Sequence, residues 1–310
     1  MDIYGRQSKL SPQMKRLRIA GRVTRRLVWE TLTDETTGFA AQMAYQFLFT
    51  LAPGLLFLWY LLGLFGTDPA RLHQMVAILQ NFLPPDPKVQ DIFDVAVANV
   101  VVTGSSGLLG NVGIFLGIWL GTMFISTISH SLSRTHGVKE DRNWWSKYII
   151  AFFLLFWFAI TIFACFSAMV FGEMLAGIAE VNFQLTIPLQ SWVAFLNLPL
   201  TAMALIILAL FLYLLTPENY LTIRQALPGA AFFACGWILV TKLFQYYVAT
   251  YDRYNPTYHA LASIIMLLFW IYLTCLFLLL GGKLNAILRR EHERAVAREE
   301  GAVIAEPEPA

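Results

Sequence analysis

Five histidines, His73, His130, His136, His259 and His292, are the side chains in this 310-residue chain best suited to metal or proton chemistry. They are dispersed along the sequence, and the six-residue step from His130 to His136 does not put two ligands on one helical face. No phosphate-binding Walker loop, GxSxG elbow or HExxH helix is present. Cys165, Cys235 and Cys275 form neither a CxxC pair nor a metal knuckle and read as small apolar residues. No carboxylate falls in the middle of an apolar stretch, so a proton relay would need Lys242 or a histidine as its carrier. The expectation is a protein that is not an enzyme and takes no cofactor and no metal.

The remaining polar residues of interest lie inside apolar surroundings. Gln42, Tyr45 and Gln46 share a helical face with Phe49 by their spacing, beside Ala40, Ala41 and Ala44. Amides are costly to present to lipid, so this face is expected either to bond a neighbouring helix or to line a wet cavity. Lys242 and Gln245 share another face, one turn apart, and Lys242 either snorkels outward or faces a polar interior. Arg134 follows Ser129, His130, Ser131 and Ser133, and with Lys139, Arg142 and Lys147 could meet anionic headgroups or simply hold the topology. These six, Gln42, Tyr45, Gln46, Arg134, Lys242 and Gln245, are the candidate substrate- or cavity-lining residues. Gly113, Gly117 and Gly121, at strict four-residue spacing, are candidate helix-packing positions, and Pro53 is expected to kink its helix.

The elements that must carry these residues are long and apolar. The composition is 57% hydrophobic and 14% charged, with a mean hydropathy of +0.59, which excludes an ordinary soluble domain. Six apolar stretches, 38–66, 107–129, 150–172, 189–215, 228–250 and 260–282, each reach the length of about 20 residues that a membrane helix needs. Of the 22 Lys and Arg residues, eighteen fall in the connections on one side of these stretches and three on the other, with Lys242 inside a stretch. Because positive charge stays in the cytoplasm, the expected fold is all-α, six transmembrane helices with both termini cytoplasmic. The first span then acts as an uncleaved targeting signal.

Three regions follow: 1–33 as a cytoplasmic basic amphipathic segment, 34–290 as the six-helix membrane domain, and 291–310 as a flexible cytoplasmic tail. In the first, Met14, Leu17, Gly21, Thr24, Val28 and Leu32 lie near one helical face with arginines around the rest. Residues 67–106 read as two short interfacial helices broken by Pro84, Pro85 and Pro87. Pro217 is expected to stop the fourth span, and Pro228 to open the fifth at a position where its missing N–H costs nothing. The tyrosines Tyr246, Tyr247, Tyr251, Tyr254 and Tyr258 match an interfacial aromatic belt.

Ala40–Pro53 "AAQMAYQFLFTLAP", Gly137–Trp145 "GVKEDRNWW" and the stretch from Pro217 to Asn285, with "LPGA", "FQYYV" and "LLLGGKLN", together resemble the YihY/BrkB family of bacterial inner-membrane proteins. The likeness runs from about residue 30 to about residue 290. In the second motif Glu140 and Arg142 match. Two positions depart from it: His259 stands where the family has glycine after tyrosine, and Lys283 stands where "LGAELN" would supply glutamate. The resemblance implies a six-helix inner-membrane protein, with members labelled virulence or serum-resistance factors, candidate transporters of envelope lipids, or ribonuclease BN. A ribonuclease would need clustered metal ligands, which the sequence lacks.

Two functions remain. One is a transporter or flippase of an amphiphilic or lipid envelope component. A cavity open sideways to lipid and lined by the six candidates would favour it; candidates scattered over separate faces would count against it. The other is a non-transporting envelope-integrity or virulence-associated scaffold. The expected partners are membrane lipids, with no nucleic acid; the oligomeric state is open.

Overall fold

The computed structural model describes residues 12–64, 108–135, 145–161, 189–215, 221–251 and 256–299, with single positions at 143 and 164, and among them it is entirely α-helical. Seven helices follow in order: α1 (Pro12–Thr33), α2 (Thr36–Leu64), α3 (Leu108–Thr135), α4 (Trp145–Thr161), α5 (Leu189–Leu215), α6 (Ile223–Tyr251) and α7 (Pro256–Glu299).

The expectation of six spans is corrected. Among the described residues four helices are long and apolar enough to cross a membrane: Phe115–Arg134 in α3, Leu198–Leu215 in α5, Ile223–Tyr247 in α6 and Ile264–Arg294 in α7. The third apolar stretch is described as far as Thr161, in α4 (Trp145–Thr161), and does not reach that length among the described residues. The first stretch lies in the 29-residue helix α2, whose inner half carries Thr36, Gln42, Gln46 and Thr50. The two interfacial helices expected within 67–106 lie outside the described residues, as does His259 as far as its side chain is concerned.

Helix α7 is the axis of the assembly. It packs against α6 and α2 along its length, and also meets α1 and α3. Helix α2 pairs with α3, and α5 with α6. Helix α4 joins the two groups, with Leu155 on Gly121 of α3 and the Trp157 ring tilted against that of Phe211 of α5, centroids 4.0 Å apart. The core between them is built from Met43, Ile125, Leu132, Tyr213, Leu279 and their neighbours, all fully buried.

Glycine sets the closest approach. A Cβ on Gly229 of α6 would collide with the Gly281 carbonyl of α7, and one on Gly281 would stand 2.5 Å from the Gly229 carbonyl and from the Tyr213 hydroxyl. Small residues let helix backbones touch in this way. At 44 residues α7 is about 66 Å long, more than twice the ~30 Å hydrocarbon thickness, so its charged last turns project beyond the span.

The start of α6 differs from the sequence expectation. The helix begins at Ile223, and Pro228 lies inside it. Thr222 and Gln225 explain the early start: the Thr222 N–H donates to Gln225 Oε1 at 3.1 Å, while the Gln225 N–H donates to the Thr222 carbonyl at 2.9 Å. This is the glutamine half of a capping box, closed by a backbone turn in place of the threonine hydroxyl, and it satisfies end groups that would otherwise be orphaned. It outweighs the preference of proline for a first turn. Helix α7 continues through residue 290, where a flexible tail was expected to begin, and Glu291 is engaged by α1.

Candidate functional site

The densest buried polar cluster among the described residues sits where α1 turns into α2. Helix α1 ends at Thr33, Glu35 adopts a left-handed conformation with φ of 53°, and α2 starts at Thr36. A helix end leaves carbonyls without partners and carries partial negative charge. No basic residue lies in the last turn of α1 to complement it. The cation comes instead from α7. Lys283 Nζ donates to the Glu30 carbonyl at 2.6 Å and to Thr36 Oγ1 at 3.1 Å, and lies 3.0 Å from Asp34 Oδ2. An ammonium has three donors, and all three are used. Lys283 and Thr36 are fully buried while Asp34 remains 46% exposed, so the charge pair has one dry and one wet end.

Two residues further along α7, Asn285 binds α6 in the same manner. Its Oδ1 accepts from the Gly229 N–H at 2.7 Å and its Nδ2 donates to the Ala226 carbonyl at 3.0 Å. About two turns back from Asn285, the Tyr213 hydroxyl of α5 donates to the Leu278 carbonyl at 2.6 Å. The segment Leu278–Asn285 therefore ties α7 to α1, α2, α5 and α6 by polar contacts within the close glycine crossing. Around it lies a ring of ion pairs: Arg26 with Glu291 at 3.0 Å, Arg22 with Glu291 at 3.7 Å, Arg290 with Glu30 at 3.6 Å and Arg294 with Glu291 at 3.9 Å.

The six residues singled out from sequence occupy separate places. Gln46 turns towards α3, where its Oε1 accepts from the Thr127 hydroxyl at 2.6 Å. Gln42 and Tyr45 are exposed on the outer face of α2, and the Tyr45 ring lies 4.7 Å from that of Phe49. Lys242 is exposed on α6 beside Leu239 and Leu243, with Gln245 half-buried. Arg134 is exposed in the last turn of α3. Among the described residues these six do not line one cavity. Gly117 and Gly121 are buried on α3, Gly113 lies in the same helix, and Pro53 sits within α2, which continues past it.

Sequence reasoning passed over Asp34, Thr36, Tyr213 and Asn285, and noted Lys283 as a tail charge standing where the family has glutamate, without a partner for it. A signal was available in "LLLGGKLN": two glycines, a lysine and an asparagine within one turn of an apolar run.

The match to known proteins follows the same segments. The profile described as Virulence factor BrkB covers residues 28–304, from within α1 to beyond α7. The chain belongs to this family. It is a multi-pass inner-membrane protein. The ribonuclease-like protein YfkH of Bacillus subtilis is 28% identical over 252 residues, covering 81% of this chain and 89% of the relative. A UPF0761 membrane protein of Pseudoalteromonas atlantica is 27% identical over 264 residues, 82% of each chain. Another UPF0761 membrane protein, from Prosthecochloris aestuarii, is 28% identical over 271 residues, 86% of this BrkB-family chain and 61% of that longer one. No solved structure matches. Ribonuclease-like is the wording of one relative's name; among the described residues no group of three or more His, Cys, Asp or Glu could hold a metal ion.

Proposed function

We propose that this BrkB-family chain is a non-transporting envelope-integrity factor of the inner membrane, acting through the surfaces it presents and not through a central pathway. The observation that carries this reading is the Lys283 cluster, which locks the basic helix α1 onto the end of α7 with every ammonium donor used. Alternating access needs packed units that rock against one another; a junction with a buried, bonded lysine at the meeting point of three helices favours a rigid platform. The separate placement of the six polar candidates supports the same reading.

A second reading has its own support. Gln42 and Tyr45 are exposed on α2, and polar groups on a membrane-facing surface favour contact with an amphiphile headgroup moving along the outside of the bundle. Reconstitution separates the two. Purified protein in vesicles containing a fluorescent lipid is expected to leave the rate of transbilayer movement at that of protein-free vesicles. In a deletion strain the wild-type chain is expected to restore resistance to detergent, and a chain carrying Gln42→Leu and Tyr45→Ala is expected to restore it equally. Lipid movement that Gln42→Leu or Tyr45→Ala abolishes would overturn the platform reading in favour of transport.

A further inference from the structure

Helix α1 has two opposed faces. Val23, Arg26 and Glu30 turn inward to α7, whereas Gly21, Arg25, Val28 and Leu32 lie on the other side, with Trp29 next to them. At about 100° per residue the two sets are centred half a turn apart. The outer face is a shallow apolar furrow bounded by Arg25, in which Trp29 is 69% and Leu32 74% exposed.

We propose that this outer face docks onto the anionic surface of the membrane in which the chain is embedded, with Val28, Trp29 and Leu32 among the upper acyl chains and Arg25 at the phosphates. Depth is the first reason. Helix α1 meets α7 between Lys283 and Glu291, about 12 Å of helix that follows directly on the apolar stretch 260–282 and falls in the last turns of the candidate span Ile264–Arg294, which is where headgroups lie. Charge is the second. From Pro12 to Trp29 the helix holds Lys15, Arg16, Arg18, Arg22, Arg25 and Arg26 and no Asp or Glu. That set complements anionic lipid and repels a second copy of itself. An exposed tryptophan beside leucine and valine is the composition that settles at the interface.

The test uses the full-length protein with V28C, and separately L32C, in vesicles of phosphatidylcholine with and without phosphatidylglycerol. Each thiol is labelled with a membrane-impermeant maleimide, with wild type as the blank for Cys165, Cys235 and Cys275 and E293C on exposed α7 as the reference. With phosphatidylglycerol both stripe thiols are expected to label about tenfold more slowly than the reference. Adding Arg25→Ala should reduce the phosphatidylglycerol-dependent part about fivefold. Labelling as fast as the reference in both lipids overturns the proposal. So does a disulfide between two V28C chains that grows with protein density, which would identify a second copy as the occupant. The readout is the position of α1, so it stands or falls separately from the envelope-integrity reading.

Discussion

Removing Asp34 should destabilise the protein more than removing the lysine it faces. Lys283 is wholly buried and Asp34 half-exposed, so the two ends of this pair are not equivalent. In Asp34→Ala the ammonium keeps only the Glu30 carbonyl and Thr36 hydroxyl, both uncharged acceptors. A buried charge stripped of its partner costs about 3–5 kcal/mol. Lys283→Met leaves instead a carboxylate that water can solvate and a carbonyl that still accepts the Asp34 N–H at 3.0 Å. The main loss is then the buried Thr36 hydroxyl and the cap on α1, about 2 kcal/mol. For a chain of this size about 1 kcal/mol corresponds to 2–4 °C or slightly less. The expected fall in Tm in detergent is therefore about 10 °C for Asp34→Ala and about 5 °C for Lys283→Met. The double variant, free of any buried charge, should lie close to Lys283→Met and well above Asp34→Ala. Thermal unfolding followed by loss of the monodisperse peak, at matched heating rate, gives all three values. Additive losses in the double variant, or an Asp34→Ala protein as stable as wild type, would refute the account of a dry ammonium held by one counter-ion.

Three other outcomes follow from the contacts. Asn285→Leu should lose about 2–4 kcal/mol, because the Gly229 N–H and the Ala226 carbonyl both lose a partner; the same unfolding assay reads it. Gly281→Val should separate α6 from α7 and lower the folded yield on size-exclusion chromatography, since any side chain there meets backbone and the Tyr213 hydroxyl. A double-mutant cycle of Gln46→Leu and Thr127→Val should return a coupling of about 0.6–2 kcal/mol between α2 and α3, and a value of zero would mean the 2.6 Å bond contributes nothing in the membrane.

The parts of the fold legible in the sequence are those written as periodicity. The stripe Gly21, Thr24, Val28, Leu32 was readable because helical spacing needs no tertiary partner. Spanning was harder. Counting apolar letters made 38–66 equal to the others, although its inner half carries Gln42, Gln46 and Thr50. Pro228 misled because the competing signal, Thr222 with Gln225, is a reciprocal pair of bonds that propensity does not weigh. The Lys283 cluster was out of reach for a different reason: its partners are separated by about 250 positions, with Lys283 to Glu30 spanning 253. Charge counting places a lysine on a side of the membrane; it says nothing about whether the ammonium is wet.

That separation has a consequence for biogenesis. The Glu30 acceptor for Lys283 leaves the ribosome 253 residues before the donor does. At about 5–20 residues per second, 253 residues take roughly 13–50 s. Until α7 arrives, the carbonyl end of α1 lacks its ammonium. One helix thus brings both the packing axis and the cation that closes the turn between α1 and α2, so the oldest turn and the youngest helix of this unit are completed by a single side chain.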